Sequence, residues 1–442
     1  MKSFVHPSIQ NHPLAWLRAA AVVSILLAAA GCSREATPVD FQAAASFDVT
    51  AADGTVHVLF SLPEESDEAT PAFYHVRAEN GGGWSSPVRV ATDHAVPGRH
   101  HRGNDPQLAV SGDRLLALWT AQGDGPWGSG PFGAALSGDG GRTWQAAPVP
   151  VSPDGGPGTG YRFPAVAADG EAFHAIWIHA KDDIRSLRHA RLPFGADAWE
   201  TPVEIDPNIC ACCWLRLDAT GDGQLTALYR DYEPSDMALA VSADSGRTWS
   251  RQGRVGEFDW HFQGCPHVGG GLATGHTSGG EPLTLASVWT GGDNGTGVHL
   301  YRKTGDTGGW QPSTEENGVL TRARNTDIAL APGGGAVWVW DQLTDDGVQA
   351  VFLAVSGDAG RTWGPPRRLT APARNGGHPR VVLAGGQAWV FWTAPESDGG
   401  ARLLWQTFDP ADATGLADRT VSNLGAVSTP PAACAHPACR CG

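Results

Sequence analysis

The residues best equipped for chemistry are cysteines. Cys210-Ala211-Cys212-Cys213-Trp214 and Gly264-Cys265-Pro266-His267 bring four thiols and an imidazole into two short segments. Aligning Asp218-Ala219-Thr220-Gly221 with Leu272-Ala273-Thr274-Gly275 sets Cys213 level with His267 and Cys265 level with Ala211. If the two segments open neighbouring repeats, the four sulfurs and the ring are neighbours. Thiolates with imidazole suit copper(I) or zinc. The same proximity suits a disulfide from Cys265 to one of the three, or a reactive thiol, and the sequence leaves these readings open. A second set is polar. Arg162, Arg324 and Arg374 offer planar forks for a carboxylate, Asp105 a carboxylic acid, and Tyr232-Glu233 a phenol beside a carboxylate. Near the C-terminus Cys434, His436, Cys439 and Cys441 follow a Pro-Ala stretch and could bind a soft metal or clip to the body.

The elements that must position these groups are short strands. Ser137-Gly138-Asp139-Gly140-Gly141-Arg142-Thr143-Trp144 recurs as Ser242 to Trp249 and Ser356 to Trp363, a shortened copy ends at Trp310, and weaker echoes end at Trp84 and Trp199. In this S-x-D-x-G-x-x-W pattern Ser and Asp can bond turn amides, Gly supplies a positive φ, and Trp falls back onto the sheet. Its role is structural. A second series counts the units: Phe60, Trp119, Trp177, Tyr229, Trp289, Trp340 and Trp392 occupy one register of successive strand-like runs. Four short antiparallel strands per unit, repeated around an axis, predict an all-β propeller. Seven blades are preferred, with six open because the last unit has no such box. Its outer strand would come from Arg419–Ser422 or Val39–Ala44. The boxes belong on one face. The segments entering each innermost strand belong on the other, at a central mouth: His100-His101-Arg102-Gly103-Asn104-Asp105, Tyr161-Arg162, the two Cys segments, Arg322-Ala323-Arg324-Asn325 and Arg374 to Arg380.

The boxes resemble the Asp boxes of the sialidase superfamily, and the likeness spans nearly the whole chain after its leader. The Cys-x-Cys-Cys segment, with a Cys-Pro segment in the next unit, is similar to exported bacterial proteins of sialidase-like type. The family likeness implies the propeller fold. For an exo-sialidase-type glycoside hydrolase it also implies a three-arginine carboxylate clamp, a Tyr–Glu nucleophile and an aspartic acid/base. Arg162-Phe163-Pro164 resembles the family's Arg-Ile-Pro, with Arg324 and Arg374 as companions, Asp105 as acid, and Tyr232 with Glu233 as nucleophile pair. Two departures stand out: the family's Tyr and Glu are not sequence neighbours, and the Arg motif falls after the first Asp box. Two function classes follow, a propeller that binds a metal, small molecule or glycan at its mouth, and a hydrolase of acidic glycans. The cysteine cluster favours binding.

The N-terminus supplies an address. Lys2 and Arg18 precede an apolar run, Ala19–Ala30, too short to span a bilayer and ending at Gly31-Cys32. Ala29-Ala30-Gly31-Cys32 resembles a bacterial lipobox with Ala29 in place of Leu, which implies residues 1–31 as a signal peptide and a lipidated Cys32. Residues 32–46 then form a linker, 47–423 the propeller, and 424–442 the Cys-containing tail. Ser33 after the cysteine implies the outer membrane, so the expected place is the cell envelope, held by lipid. Loss of residues 1–31 removes Lys2 and Arg18 and no acid, moving the formal charge from −15 to −17. So acidic a body is a poor partner for nucleic acid. With Cys32 set aside, seven of the eight cysteines remain, an odd number that cannot all pair internally. The chain is expected to incorporate radiolabelled palmitate and sediment with membranes, and Cys32→Ser to be soluble and unlabelled. An unlabelled wild type would remove the anchor.

Overall fold

A computed structural model of the chain describes residues 43–410, apart from 45, 65–66, 79–82, 99–100, 294, 306–307, 314–319 and 398–399. The leader, Cys32, His100, Asp306 and the cysteine tail lie outside the described residues. The strands, numbered β1–β27 in chain order, form seven antiparallel sheets, each built from consecutive strands. The innermost strands are β1 (Ser46–Ala52), β5 (Gln107–Ser111), β9 (Gly160–Ala168), β13 (Arg216–Ala219), β17 (Gly271–His276), β21 (Ala323–Leu330) and β25 (Gly377–Ala384). Each touches the next, and β25 touches β1, closing the ring. The protein is a seven-bladed β-propeller. The seventh blade has three strands, ending at β27 (Ala401–Phe408). Of the segments expected to complete it, 39–44 and 419–422, only Ala43 and Ala44 are among the described residues, and neither belongs to a strand. No helix among the described residues is long and apolar enough to cross a membrane.

The strands read as continuous apolar runs because both faces of every blade are buried. Successive side chains point to opposite faces, so Leu115 and Leu116 of one strand feed different junctions. Leu115 joins Leu59 and Phe73 of the first blade, and Leu116 joins Phe173 and Trp177 of the third. The buried residues fall into seven clusters, each spanning one blade-to-blade junction, including the first with the seventh. The seven register aromatics all lie on second strands, and Phe60, Trp119, Trp177, Tyr229, Trp340 and Trp392 are fully buried.

In each complete box the serine hydroxyl bonds the aspartate and accepts the glycine amide, as in Ser137 Oγ to Asp139 Oδ1 at 2.8 Å and Gly141 N to Ser137 Oγ at 2.9 Å. The aspartate also holds the threonine, Thr143 Oγ1 lying 2.6 Å from Asp139 Oδ2. The same bonds recur at Ser242–Thr248 and Ser356–Thr362. The box tryptophans wedge against the preceding blade, Trp144 on His75 and Trp249 on His189. That preceding blade also supplies a polar side chain to the box. His75 Nδ1 meets Gly141 O at 3.3 Å, and Arg302 Nε donates to Ala359 O at 3.2 Å. His75 stacks on His57, and His189 on His174.

Burial first, and the Arg77 charge second, lower His57 to about 4. Burial and then His57 lower His75 to about 3. The unfolded chain takes up these protons near pH 6.5, so acid favours unfolding, and stability is lost from about pH 6.5 down to the folded values. The unfolding free energy, read from urea titrations, is expected to fall steadily from pH 7 to pH 4, by on the order of 3 kcal/mol for His57 alone. His57→Gln should flatten that limb; an unchanged pH profile in this variant would exclude His57 from it.

Candidate functional site

Three aspartates on innermost strands lock the first, fourth and sixth blades each to the next. Asp48, Asp218 and Asp327 accept the amides of Leu108, Thr274 and Val381 at 2.9, 2.7 and 3.1 Å. Around them Arg380 bridges Asp48 and Asp327 at 3.0 and 2.9 Å, and Arg102 pairs with Asp105 at 2.6 Å. Trp214 is gripped between Gly103 and Gly269, where a Cβ would lie 2.5 and 2.1 Å from its ring. With Arg216, Asn325 and His378 these groups leave a cavity of only about 20 Å³, which suits a water and nothing larger. Little free space is left among these side chains.

The cysteines lie in the segments that enter the fourth and fifth blades. Cys212 is disulfide-bonded to Cys265, with a Cα separation of 5.8 Å, so the segments entering the fourth and fifth blades are tied together. Cys210 and Cys213 are buried free thiols. The Cys210 sulfur lies 3.8 Å from that of Cys212 and 3.9 Å from that of Cys213, and the Cys265 sulfur lies 3.6 Å from His267 Nδ1. All five residues singled out by type and spacing thus converge. Their donor atoms fall into two overlapping sets, Cys210 with Cys212 and Cys213, and Cys212 with Cys265 and His267, each within 4.8 Å.

The arginines read as a carboxylate clamp have other work. Arg162 Nη1 donates to the Ala211 carbonyl at 3.1 Å, inside the Cys-x-Cys-Cys segment, and its guanidinium lies over the Trp127 ring at 4.1 Å. Arg324 Nη2 donates to the Pro266 carbonyl at 3.0 Å, inside the Cys-Pro-His segment. Arg374 sits exposed in the turn before β25. The cavity on the axis is instead lined by Arg102, Arg216 and Arg380, already faced by Asp48, Asp105 and Asp327. Asp105 is locked by Ser46 Oγ at 2.6 Å and Gly103 N at 3.0 Å. Burial would raise its pKa, but Arg102 and these hydrogen bonds hold it below the ordinary value, the opposite of what a glycosidic acid requires. Tyr232 is exposed, and Glu233 follows it in the loop after β14 (Leu225–Arg230), beyond the Cys cluster's bonded contacts.

Sequence reading missed Arg230. It ends the apolar strand β14, is almost wholly buried, and donates to Cys213 Sγ at 3.2 Å and to the carbonyls of Ser235, Val268 and Trp289 at 2.6, 3.2 and 3.0 Å. Burial opposes ionisation of Cys213, but the Cys210 thiol and the Arg230 cation outweigh it and lower that thiol. Burial, with His101, Arg162 and Arg324 nearby, lowers His267 to about 4, so the ring is neutral at pH 7 and able to coordinate. Backbone geometry marks the same place. Phe163, His267 and His378 have φ of 49°, 55° and 53°, a strained region for such residues that clusters at functional sites. The ladders of β9, β21 and β25 shift register here, as bulges that re-aim side chains do.

No family model matches the chain, nor does any curated protein. Among solved structures it is similar to a Hadza microbial sialidase (16% identity, 77% of this chain and 74% of that one, TM-score 0.45). Others are a Trypanosoma rangeli sialidase in complex with the inhibitor DANA (11%, 70% and 55%, 0.43) and a Penicillium chrysogenum α-L-arabinanase complexed with arabinobiose (15%, 70% and 94%, 0.45). The sheets and boxes themselves define the propeller. Arg230→Ala is expected to strand three carbonyls and to lower stability by about 3–5 kcal/mol, read as a drop in urea midpoint. A loss below about 1 kcal/mol would mean that water replaces the guanidinium.

Proposed function

We propose that this chain is an exported lipoprotein of the cell envelope whose propeller holds a soft cation, copper(I) ahead of zinc, in its Cys/His cluster when the Cys212–Cys265 bond is reduced. The observation that carries the reading is the pair of overlapping donor sets that share Cys212. Three thiolates suit copper(I), and thiolates with a neutral imidazole also suit zinc. Arg230 beside Cys213 offsets the negative charge such thiolates accumulate. Arg162 and Arg324 pin the two Cys segments by their carbonyls and so order the donors from outside the first ring of ligands.

The reduced full chain, titrated with copper(I) or zinc against a chromophoric chelator, is expected to bind one equivalent at this cluster. Cys212→Ser should lose it, and the unreduced chain should bind more weakly. Absence of binding to the reduced, folded protein would overturn the reading, as would its complete loss on replacing Cys434, Cys439 and Cys441 with serine.

Hydrolysis of an acidic glycan is the second reading. The exposed Trp127, 71% accessible with Arg162 over its ring, is the observation in its favour, since such a face can receive a sugar ring. A fluorogenic sialoside is expected to survive incubation with the protein. Cleavage that Arg162→Ala abolishes, with the fold intact, would reverse the order of the two readings.

A further inference from the structure

We propose that the four clustered sulfurs form a thiol–disulfide exchange site that meets solvent through Cys265 and takes low-molecular-weight thiols or peptide cysteines as substrates. This activity needs no metal and goes beyond the ion-binding reading. A disulfide that only stapled the fourth blade to the fifth would need two sulfurs. Here two more thiols are buried beside it, Cys210 3.8 Å from the Cys212 sulfur and Cys213 3.9 Å from the Cys210 sulfur. Of the four, Cys265 alone is exposed. The arrangement therefore has an outer sulfur that substrate can reach, a bonded inner sulfur beneath it, and an inner nucleophile that substrate cannot reach. Arg230 Nε lies 3.2 Å from Cys213, whose sulfur lies 3.9 Å from that of Cys210.

The internal step conserves electrons. The Cys210 sulfur attacks the Cys212 sulfur and gives up its proton, a Cys210–Cys212 bond forms, the Cys212–Cys265 bond breaks, and Cys265 leaves, takes that proton and ends as a thiol. His267 Nδ1 lies 3.6 Å from that sulfur. In the external step a substrate thiolate attacks the exposed Cys265 sulfur. A mixed disulfide forms there, and Cys212 leaves as the thiolate. A second substrate thiol then attacks the substrate sulfur of the mixed disulfide, which yields the substrate disulfide and frees Cys265. Two substrate thiols thus lose two electrons, and the Cys212–Cys265 bond gains them.

The test uses the full chain, never reduced, folded and held in chelator. It is incubated at pH 8 with iodoacetamide, then unfolded, digested and mapped by mass spectrometry. The cross-link between the peptides carrying Cys212 and Cys265 should be present at the start and decay with time. As it decays Cys265 should become alkylated and the triplet peptide should gain a Cys210–Cys212 bond. Cys210→Ser should slow the decay at least about tenfold, as removal of the attacking thiol requires. Cys210→Ala serves if the serine variant fails to fold, with circular dichroism as the control. Added glutathione should appear on Cys265 and on neither Cys210 nor Cys213. The proposal is overturned if the starting cross-link is absent, if it persists in the native wild type, or if Cys265 is labelled equally fast without Cys210. It is also overturned if replacing Cys434, Cys439 and Cys441 with serine stops the exchange. Failure to bind copper(I) or zinc would leave all these outcomes unchanged, so the two readings fail separately.

Discussion

The structure depends on the burial of both faces of every blade. A four-stranded sheet with one wet face can stand at the edge of a fold. A sheet whose alternate side chains are apolar on both sides needs a neighbour on each. Seven such sheets satisfy one another only by closing a ring, which is why β1 and β25 meet and why the cluster of the first blade contains Trp389 and Phe391 of the last. The aspartate locks and the Asp boxes act within that frame. The locks fasten innermost strands to one another, and the boxes seat a tryptophan against the preceding blade.

Closure of the ring also decides where chemistry can occur. Innermost strands carry Asp48, Asp327, Arg216 and Arg380 toward the axis, and Asp105 and Arg102 enter from the segment before β5. These charges largely neutralise each other, and with Trp214 they fill the opening. A buried charge is tolerable when it is paired, so the ring spends its arginines and aspartates on itself. Beside them, in the segment entering the fifth blade, Cys265 is exposed and His267 is half-buried, with Arg162 and Arg324 acting on its ring. The short connections between strands and the register shifts of β9, β21 and β25 hold these groups in place.

Within that site the arginines act on backbone and sulfur. Arg162 and Arg324 each fix a carbonyl one residue from a cysteine, and Arg230 joins Cys213 to carbonyls from the fourth and fifth blades. The sulfurs are thus held by groups that do not themselves ligate. This explains how Cys210 and Cys213 remain separate thiols less than 4 Å apart while Cys212 is bonded outward to Cys265.

The sequence by itself determined the repeat, since the register of the boxes at Trp144, Trp249 and Trp363 and of the aromatic series from Phe60 to Trp392 follows from strand periodicity; it favoured seven blades and left six open, and the contact of β25 with β1 decided the number. It also determined that the two Cys segments meet, since equivalent positions on adjacent innermost strands are about one strand spacing apart. Tertiary structure alone decided which sulfurs pair, because four thiols within reach of one another carry no local preference that spacing could show. It likewise decided the fate of Arg162, Arg324 and Asp105. A guanidinium or carboxylate has the same local signature whether it awaits a ligand or satisfies a buried carbonyl or cation. Arg230 was illegible for the same reason, as its four partners lie on segments brought together only when the fourth and fifth blades pack.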